Sequence, residues 1–242
     1  MKRFNFKNQI IFENENYLAI NKPSGVSSLH ERIGIANSVF EQAKIYDHNL
    51  QLCHRLDKET SGVLLLSKHT DAYVHAAKAF EKREVQKNYH AISHGVHQFK
   101  DFVVELPLIT TRSGRSAVDK SKGKPSKTTF NTIEKFIHYT LISCNPHTGR
   151  QHQIRIHLAS QNAPIAADEI YGGKRPFLST YKKKFNLKQN TEEKPMIQRF
   201  ALHAFALEIP DLNGNLIHIN AKYPKDFQVF LSQLQKFDKL FV

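Results

Sequence analysis

Apolar residues in this chain come in short runs, none longer than a few residues, which excludes a membrane-spanning helix and points to strands. The clearest run is Gly62-Val63-Leu64-Leu65-Leu66-Ser67, which fits a buried strand. Short segments at 10–12 and 17–21 read as strands around the polar turn Glu13-Asn14-Glu15-Asn16. Further strands are expected at 88–93, 102–105, 128–137 and 139–144. Asp211-Leu212-Asn213-Gly214-Asn215, between apolar segments at 201–209 and 216–221, is a hairpin signal. Helices are expected at 31–46, at 70–85 with Thr70-Asp71 as its N-cap, and at 226–237. Residues 151–160 fit two patterns: the alternation of Gln151, Gln153 and Arg155 suits a strand, and the pairs Ile154/Leu158 and Gln151/Arg155 suit a helix, the favoured reading. The fold class is therefore α+β, a mixed and mostly antiparallel central sheet with flanking helices. With 242 residues and no convincing linker, 1–242 reads as a single domain.

At 40% hydrophobic and 24% charged residues, the chain is too apolar to be disordered. Met1-Lys2-Arg3-Phe4-Asn5 leads into no apolar stretch, so no secretory signal is expected. Cys53 and Cys144 are far apart and form neither a disulfide framework nor a C-x-x-C pair. A soluble cytoplasmic protein is the default. The charge is uneven. Segment 112–127 holds six basic residues against one acid, and segment 174–199 holds eight against two, so these segments carry most of the net +13. Both lack apolar periodicity and read as basic loops on a nearly neutral body. Such loops suit a polyanion, because each neutralised phosphate releases counterions. The plainer alternative is a solvated face that maintains solubility.

Four constellations could carry chemistry. The first is His54-Arg55-Leu56-Asp57-Lys58-Glu59-Thr60-Ser61-Gly62, a polar loop ahead of the buried strand. An Asp held there could act as nucleophile, general base or metal ligand, or form a surface ion pair with Arg55. The second is Thr148-Gly149-Arg150-Gln151-His152-Gln153-Ile154-Arg155-Ile156-His157-Leu158, a polar row suited to a cleft. His147, His152 and His157 do not make a metal site, because a spacing of five turns successive residues about 140° around a helix. On a strand they would alternate faces. The third is Lys87-Asn88-Tyr89-His90-Ala91, whose Tyr is by itself more simply core. The fourth, Pro164-Ile165-Ala166-Ala167-Asp168-Glu169-Ile170-Tyr171-Gly172, is a turn-rich connection that could form a pocket wall. There is no Walker loop, dinucleotide fingerprint or serine elbow.

In this order the motifs resemble those of the RluA family of pseudouridine synthases. The family pattern His-Arg-Leu-Asp-x-x-Thr-Ser-Gly is met at 54–62, Lys-x-Tyr-x-Ala at 87–91, and Thr-Gly-Arg-x-His-Gln-Ile-Arg-x-His-Leu at 148–158. Pro-Ile-x-Gly-Asp-x-x-Tyr-Gly is met at 164–172 except that Ala167 stands where the family usually has Gly, and Leu202-His203-Ala204 follows. The segment after Lys22-Pro23-Ser24-Gly25 matches more loosely. About ten residues precede the first strand, so no S4-type RNA-binding domain is expected, which leans the substrate towards transfer RNA or a compact RNA element.

The resemblance implies an enzyme that isomerises a specific uridine in transfer RNA or ribosomal RNA. The bond from uracil N1 to ribose C1′ breaks, the base turns and rejoins through C5, and the target base is flipped out of its stack. No cofactor and no metal is expected, RNA is the partner, no obligate protein partner is implied, and a monomer is assumed. By the same resemblance Asp57 is the essential carboxylate, whether it attacks C1′, attacks the uracil ring or takes a ribose proton. Arg155 matches the basic partner that favours the ionised carboxylate. Tyr89 matches the active-site Tyr, placed to stack on uracil and take the C5 proton. Arg55 matches the Arg that enters the space left by the flipped base. Arg150, His152, Gln153, Lys182, Lys183 and Lys184 are further RNA-binding candidates; His54 and His203 read as structural. The competing readings are a non-catalytic RNA-binding protein or chaperone on the same fold, and a nucleotide hydrolase using Asp57 and a histidine.

Overall fold

A computed structural model describes residues 5–30, 38–111, 114–187 and 190–240. Part of the expected first helix (31–37), and Arg112 and Lys188 of the basic segments, lie outside the described residues. The chain forms two compact units. One comprises Met1–Tyr89 and His203–Lys222, the other His90–Leu202 and Tyr223–Val242. The divisions at 89/90 and 202/203 fall within strands, so composition marks no linker there.

The described strands are β1 (Ile10–Glu13), β2 (Tyr17–Lys22), β3 (Gln51–Leu52), β4 (Ser61–Ser67), β5 (Gln86–His94), β6 (Phe102–Glu105), β7 (Leu108–Thr110), β8 (Ser116–Val118), β9 (Lys127–Lys135), β10 (Tyr139–Pro146), β11 (Leu202–Pro210) and β12 (Leu216–Asn220). The described α-helices are α1 (Val39–Tyr46), α2 (Thr70–Glu81), α3 (Gln153–Ser160) and α4 (Lys225–Phe237). The sheet is mixed. β4 and β11 run parallel, whereas the pairs β1–β2, β2–β4, β3–β4, β11–β12, β9–β10 and β6–β9 are antiparallel.

In the first unit the strand order is β1-β2-β4-β11, with β3 also on β4 and β12 on β11. The apolar run of β4 is wholly buried because both of its faces are covered. Val63 and Leu65 join the cluster that contains Ala72, Ala76 and Ala79 of α2. Leu64 and Leu66 turn the other way, into the cluster with Val39 and Ala43 of α1. Each such side chain contributes about 1.5–3 kcal/mol on burial. α1 begins at a capping box in which Ser38 and Glu41 satisfy each other's backbone N–H groups. The cap of α2 is His69, one residue earlier than expected, whose ring accepts from the Ala72 N–H. α2 also stops at Glu81 instead of near 85, because Arg83 takes a left-handed conformation (φ 63°) and Val85 turns into the core.

In the second unit β5, β10, β9 and β6 follow in that order, and β7–β8 form a separate two-stranded ribbon. α4 buries Phe227, Phe230, Leu231 and Leu234, with Phe230 edge-on to Tyr139 at 5.4 Å. Residues 151–160 resolve as helix from Gln153 onward. The first basic segment is not simply a loop. It contains β8 and a tight turn where the Asp119 carboxylate accepts from the N–H groups of Ser121 and Lys122. Gly123 is required there, since a Cβ would lie 2.3 Å from the Asp119 carbonyl oxygen. Three of the counted cations are not free surface charges. Lys127 pairs with Glu105 at 2.6 Å, Arg175 with Glu169 at 2.9 Å, and the buried Arg199 with Asp226 at 2.8 Å.

Candidate active site

In the first unit the polar loop ahead of β4 is clamped on both sides of Asp57. Before it, the Leu56 N–H donates to Ser28 Oγ (3.0 Å) and the Ser28 hydroxyl donates to the Leu56 carbonyl (2.8 Å). After it, the Lys58 carbonyl accepts from the Gly25 N–H (2.9 Å) and from Lys22 Nζ (3.0 Å). Lys22 is fully buried and also donates to the carbonyls of Pro23 (3.1 Å) and Val26 (2.8 Å). Charge-assisted bonds of this kind contribute roughly 1.5–3 kcal/mol each. The Asp57 carbonyl accepts from the Thr60 N–H (3.0 Å), which closes the turn. The carboxylate is thus carried, half-buried, on an immobilised backbone.

The residues around it are explained by packing. His54 Nε2 accepts from the Leu65 N–H at 3.0 Å, and burial pushes this imidazole down to about 3, so it is a neutral structural acceptor. Gly62 is needed because β4 approaches β11 so closely that a Cβ would sit 2.1 Å from the Ala204 carbonyl oxygen. The His203 ring lies between the Ser61 hydroxyl (2.9 Å) and the Ala221 carbonyl (3.1 Å). Nε2–H must donate to that carbonyl, so Nδ1 accepts from Ser61 and one tautomer is selected.

Tyr89 on β5 packs against the cluster containing Leu56, Leu64 and Ala204. Burial raises its phenol above the ordinary tyrosine range, and the charge of Asp57 raises it further. The phenol therefore stays protonated through neutral and mildly alkaline pH, within the field of the Asp57 carboxylate. Two residues earlier, burial and then Arg83 push the Lys87 ammonium down to about 8. Arg55 is exposed. The first unit thus brings Asp57 and Tyr89 together, with Arg55 at the surface two residues from Asp57.

The second unit holds the remaining candidates. Arg155 is buried (3% exposed) and makes a bidentate pair with the equally buried Asp168, both bonds 2.7 Å. Its guanidinium carbon also lies 4.2 Å from the Phe200 ring centroid and 4.9 Å from that of Tyr171. Gln153 is buried, and its amide is used inside the protein. Its oxygen accepts from the Thr148 hydroxyl (2.7 Å) and the Arg150 N–H (3.0 Å), and its nitrogen donates to the Lys127 carbonyl and Thr128 Oγ1. It holds the turn that presents the exposed Arg150, whose Nε donates to the Pro125 carbonyl at 3.2 Å. His152 caps α3 in a left-handed conformation (φ 56°) and bonds Tyr171. His157 bonds Ser126 and Thr128, and burial pushes it down to about 4. Lys183 and Lys184 are exposed, whereas Lys182 is half-buried with its ammonium 5.5 Å from the Phe237 ring centroid. Among the described residues no three His, Cys, Asp or Glu side chains gather as metal ligands would.

A carboxylate on a rigid turn beside a neutral phenol can attack or deprotonate a substrate and shuttle one proton. Residues 16–160 match the family model for RNA pseudouridylate synthase. The chain is 34% identical over 237 residues to ribosomal large subunit pseudouridine synthase C of Buchnera aphidicola subsp. Schizaphis graminum, covering 95% of this chain and 72% of that protein. The chain belongs to the RNA pseudouridylate synthase family. Another relative, ribosomal large subunit pseudouridine synthase C of Haemophilus influenzae, is 33% identical over 95% of this chain and 70% of its own length. Among solved structures, human RNA pseudouridylate synthase domain containing 4 superposes with a TM-score of 0.71 at 25% identity, covering 95% of this chain and 94% of that one.

This pseudouridine synthase departs from its family's usual pattern at Ala167, and the reason Gly is usual is visible. Ala167 sits at φ 62°, where a Cβ costs about 1–2 kcal/mol. Four residues that hold candidate residues in place within their own units were not singled out as such by sequence reasoning: Lys22 and Ser28 in the first unit, Asp168 and Tyr171 in the second. Lys22-Pro23-Ser24-Gly25 reads as a chain breaker, and nothing local marks a lysine that will be fully buried. Asp168 and Tyr171 lie in a recognised motif, but their partners are distant in sequence.

Proposed function

We propose that this synthase modifies a uridine of large-subunit ribosomal RNA, acting as a single catalytic domain and as a monomer in the cytoplasm. The reaction rests on one observation, the clamped Asp57 beside the protonated Tyr89 phenol. Asp57 supplies the carboxylate that attacks the nucleoside or takes a ribose proton. Tyr89 stacks on the uracil and relays the C5 proton once C5 has bonded to C1′: its oxygen takes that proton as its own O–H proton passes to the freed carboxylate or to water. N1 gains a proton in its place, and the C5 proton reaches water, so the product is an isomer. Arg155 is the basic residue that the family resemblance assigns to the reaction, and Arg55 fills the space of the flipped base. Arg150 and His152 meet the RNA backbone, with Gln153 supporting the turn that carries them. The ribosomal target draws on the names of relatives matched along 95% of the chain.

Tritium release from RNA labelled at uracil C5 tests this directly. Wild-type protein is expected to release tritium from unmodified large-subunit ribosomal RNA and not from a transfer RNA pool. Release from transfer RNA alone would overturn the target. Tight binding without release from either pool would favour the non-catalytic RNA-binding reading.

The lysines of the second basic segment give a separate expectation. Changing Lys182, Lys183 and Lys184 to Gln should flatten the log–log salt dependence of RNA binding by about two units. Three units are not expected, because the Lys182 ammonium is already engaged with the Phe237 ring. An unchanged slope would make this segment an ordinary solvated surface.

A further inference from the structure

The Tyr171 side chain has two ends with different partners. Its hydroxyl lies 2.8 Å from His152 Nδ1, 3.3 Å from the Ser116 nitrogen and 3.0 Å from the Ser116 carbonyl oxygen. A phenol has one proton, so all three contacts are satisfied in one way. Tyr171 donates to the Ser116 carbonyl and accepts from the Ser116 N–H and from His152 Nδ1–H. The other end, the ring face, lies against the guanidinium of Arg155.

Ser116 belongs to β8, so the hydroxyl grips the β7–β8 ribbon by its backbone. Among the described residues the Ser116 hydroxyl itself has no hydrogen-bond partner, so its side chain adds no hydrogen bond at this point. The ribbon is tied to the same turn a second time. The Thr110 hydroxyl donates to Gln151 Oε1 (3.3 Å), and Gln151 Nε2 donates to the Gly114 carbonyl (3.0 Å). Arg115, Lys120, Lys122 and Lys124 are exposed on the ribbon and the turn that follows it. That turn is itself rigid, built on the Asp119 carboxylate and returned to β7 by the bridge Leu108↔Lys124. A preorganised basic arm is therefore fastened to residues 151–152, which open the helix carrying Arg155. One of those two residues, His152, sits in a left-handed conformation that its neighbours must hold in place.

We infer that Tyr171 is a positioning residue that joins a phosphate-binding arm, the β7–β8 ribbon, to the turn and helix that carry Arg155. The hydroxyl sets where the arm meets the RNA backbone, and the ring face sets the Arg155 guanidinium. This rests on the proposed RNA reaction for its turnover readout, whereas its binding readout stands independently.

The substitution Tyr171→Phe separates the two ends, since it keeps the ring and removes the hydroxyl. With unmodified large-subunit ribosomal RNA, KM and Kd are expected to rise about tenfold while kcat falls less than threefold. Tyr171→Leu should lower kcat by a further tenfold or more, because the guanidinium then loses the ring beside it. The decisive comparison uses a protein with Arg115, Lys120, Lys122 and Lys124 all changed to Gln. In that background Tyr171→Phe should weaken binding no further, because the arm it positions no longer grips phosphate. Equal losses in both backgrounds, or kcat and KM moving together with a lowered Tm, would reduce Tyr171 to packing. Unchanged affinity and salt slope in the four-residue variant would remove the arm from RNA binding and overturn the inference. A wild-type protein that binds RNA without releasing tritium would instead count against the proposed reaction, and the Kd comparison would still decide the role of the arm.

Discussion

Asp57→Asn protein is expected to release no more than about a thousandth of the wild-type tritium, with RNA affinity within roughly twofold of wild type. Asn preserves the volume of the side chain and removes only its charge and basicity. The loop is held on both sides of that side chain. Its clamps are backbone groups, namely both polar groups of Leu56, the Asp57 carbonyl and the Lys58 carbonyl. Binding and folding should therefore survive while attack and proton transfer fail. Measured together, tritium release, Kd and Tm separate these effects. Turnover above a few per cent of wild type would remove Asp57 from the reaction, and a collapse of Tm would move it into the scaffold.

The second large effect is expected at Asp168. Asp168→Ala leaves the Arg155 guanidinium, 3% exposed, without its bidentate partner. Removing one member of a buried pair costs about 3–5 kcal/mol, far more than the net contribution of the intact pair. For a chain of this size that corresponds to a Tm lower by roughly 10 °C. Activity should be lost as well, because Arg155 is then held only by its remaining contacts, including the rings of Phe200 and Tyr171. The apolar double replacement Arg155→Met with Asp168→Leu distinguishes the two losses. It is expected to regain most of the stability, since no buried charge is left, yet to remain inactive. A double variant that turns over RNA would free Arg155 from any role in the reaction. An Asp168→Ala protein as stable as wild type would show that the pair is not held as tightly as its geometry implies.

How much of this was readable beforehand varied with the range of the interactions concerned. Val63 to Leu66 identified β4 because four consecutive apolar residues are satisfied by a strand covered on both faces. Asp211 to Asn215 identified the β11–β12 hairpin because turn chemistry is local. Residues 151–160 carried two periodicities, and packing resolved them as helix, where Gln153 to Leu158 are all buried. The charge count misjudged Arg199, because its partner Asp226 lies on α4 and an exposed and a buried arginine look the same in sequence. Gln153 looked like a surface contact for the same reason, although its four hydrogen bonds lie within the protein.

The order and spacing of the motifs thus settled the family and the reaction and nominated Asp57 as the carboxylate, because these depend on residue types that lie near each other in sequence. Only the fold decided what supports them. Lys22 reaches the Lys58 carbonyl, Ser61 meets His203, and Tyr171 meets Ser116, and each contact spans tens of residues or more. A buried lysine or a phenol with three partners is favourable only once particular carbonyls and N–H groups converge on it, and that convergence is created by the sheet register and the loops it positions.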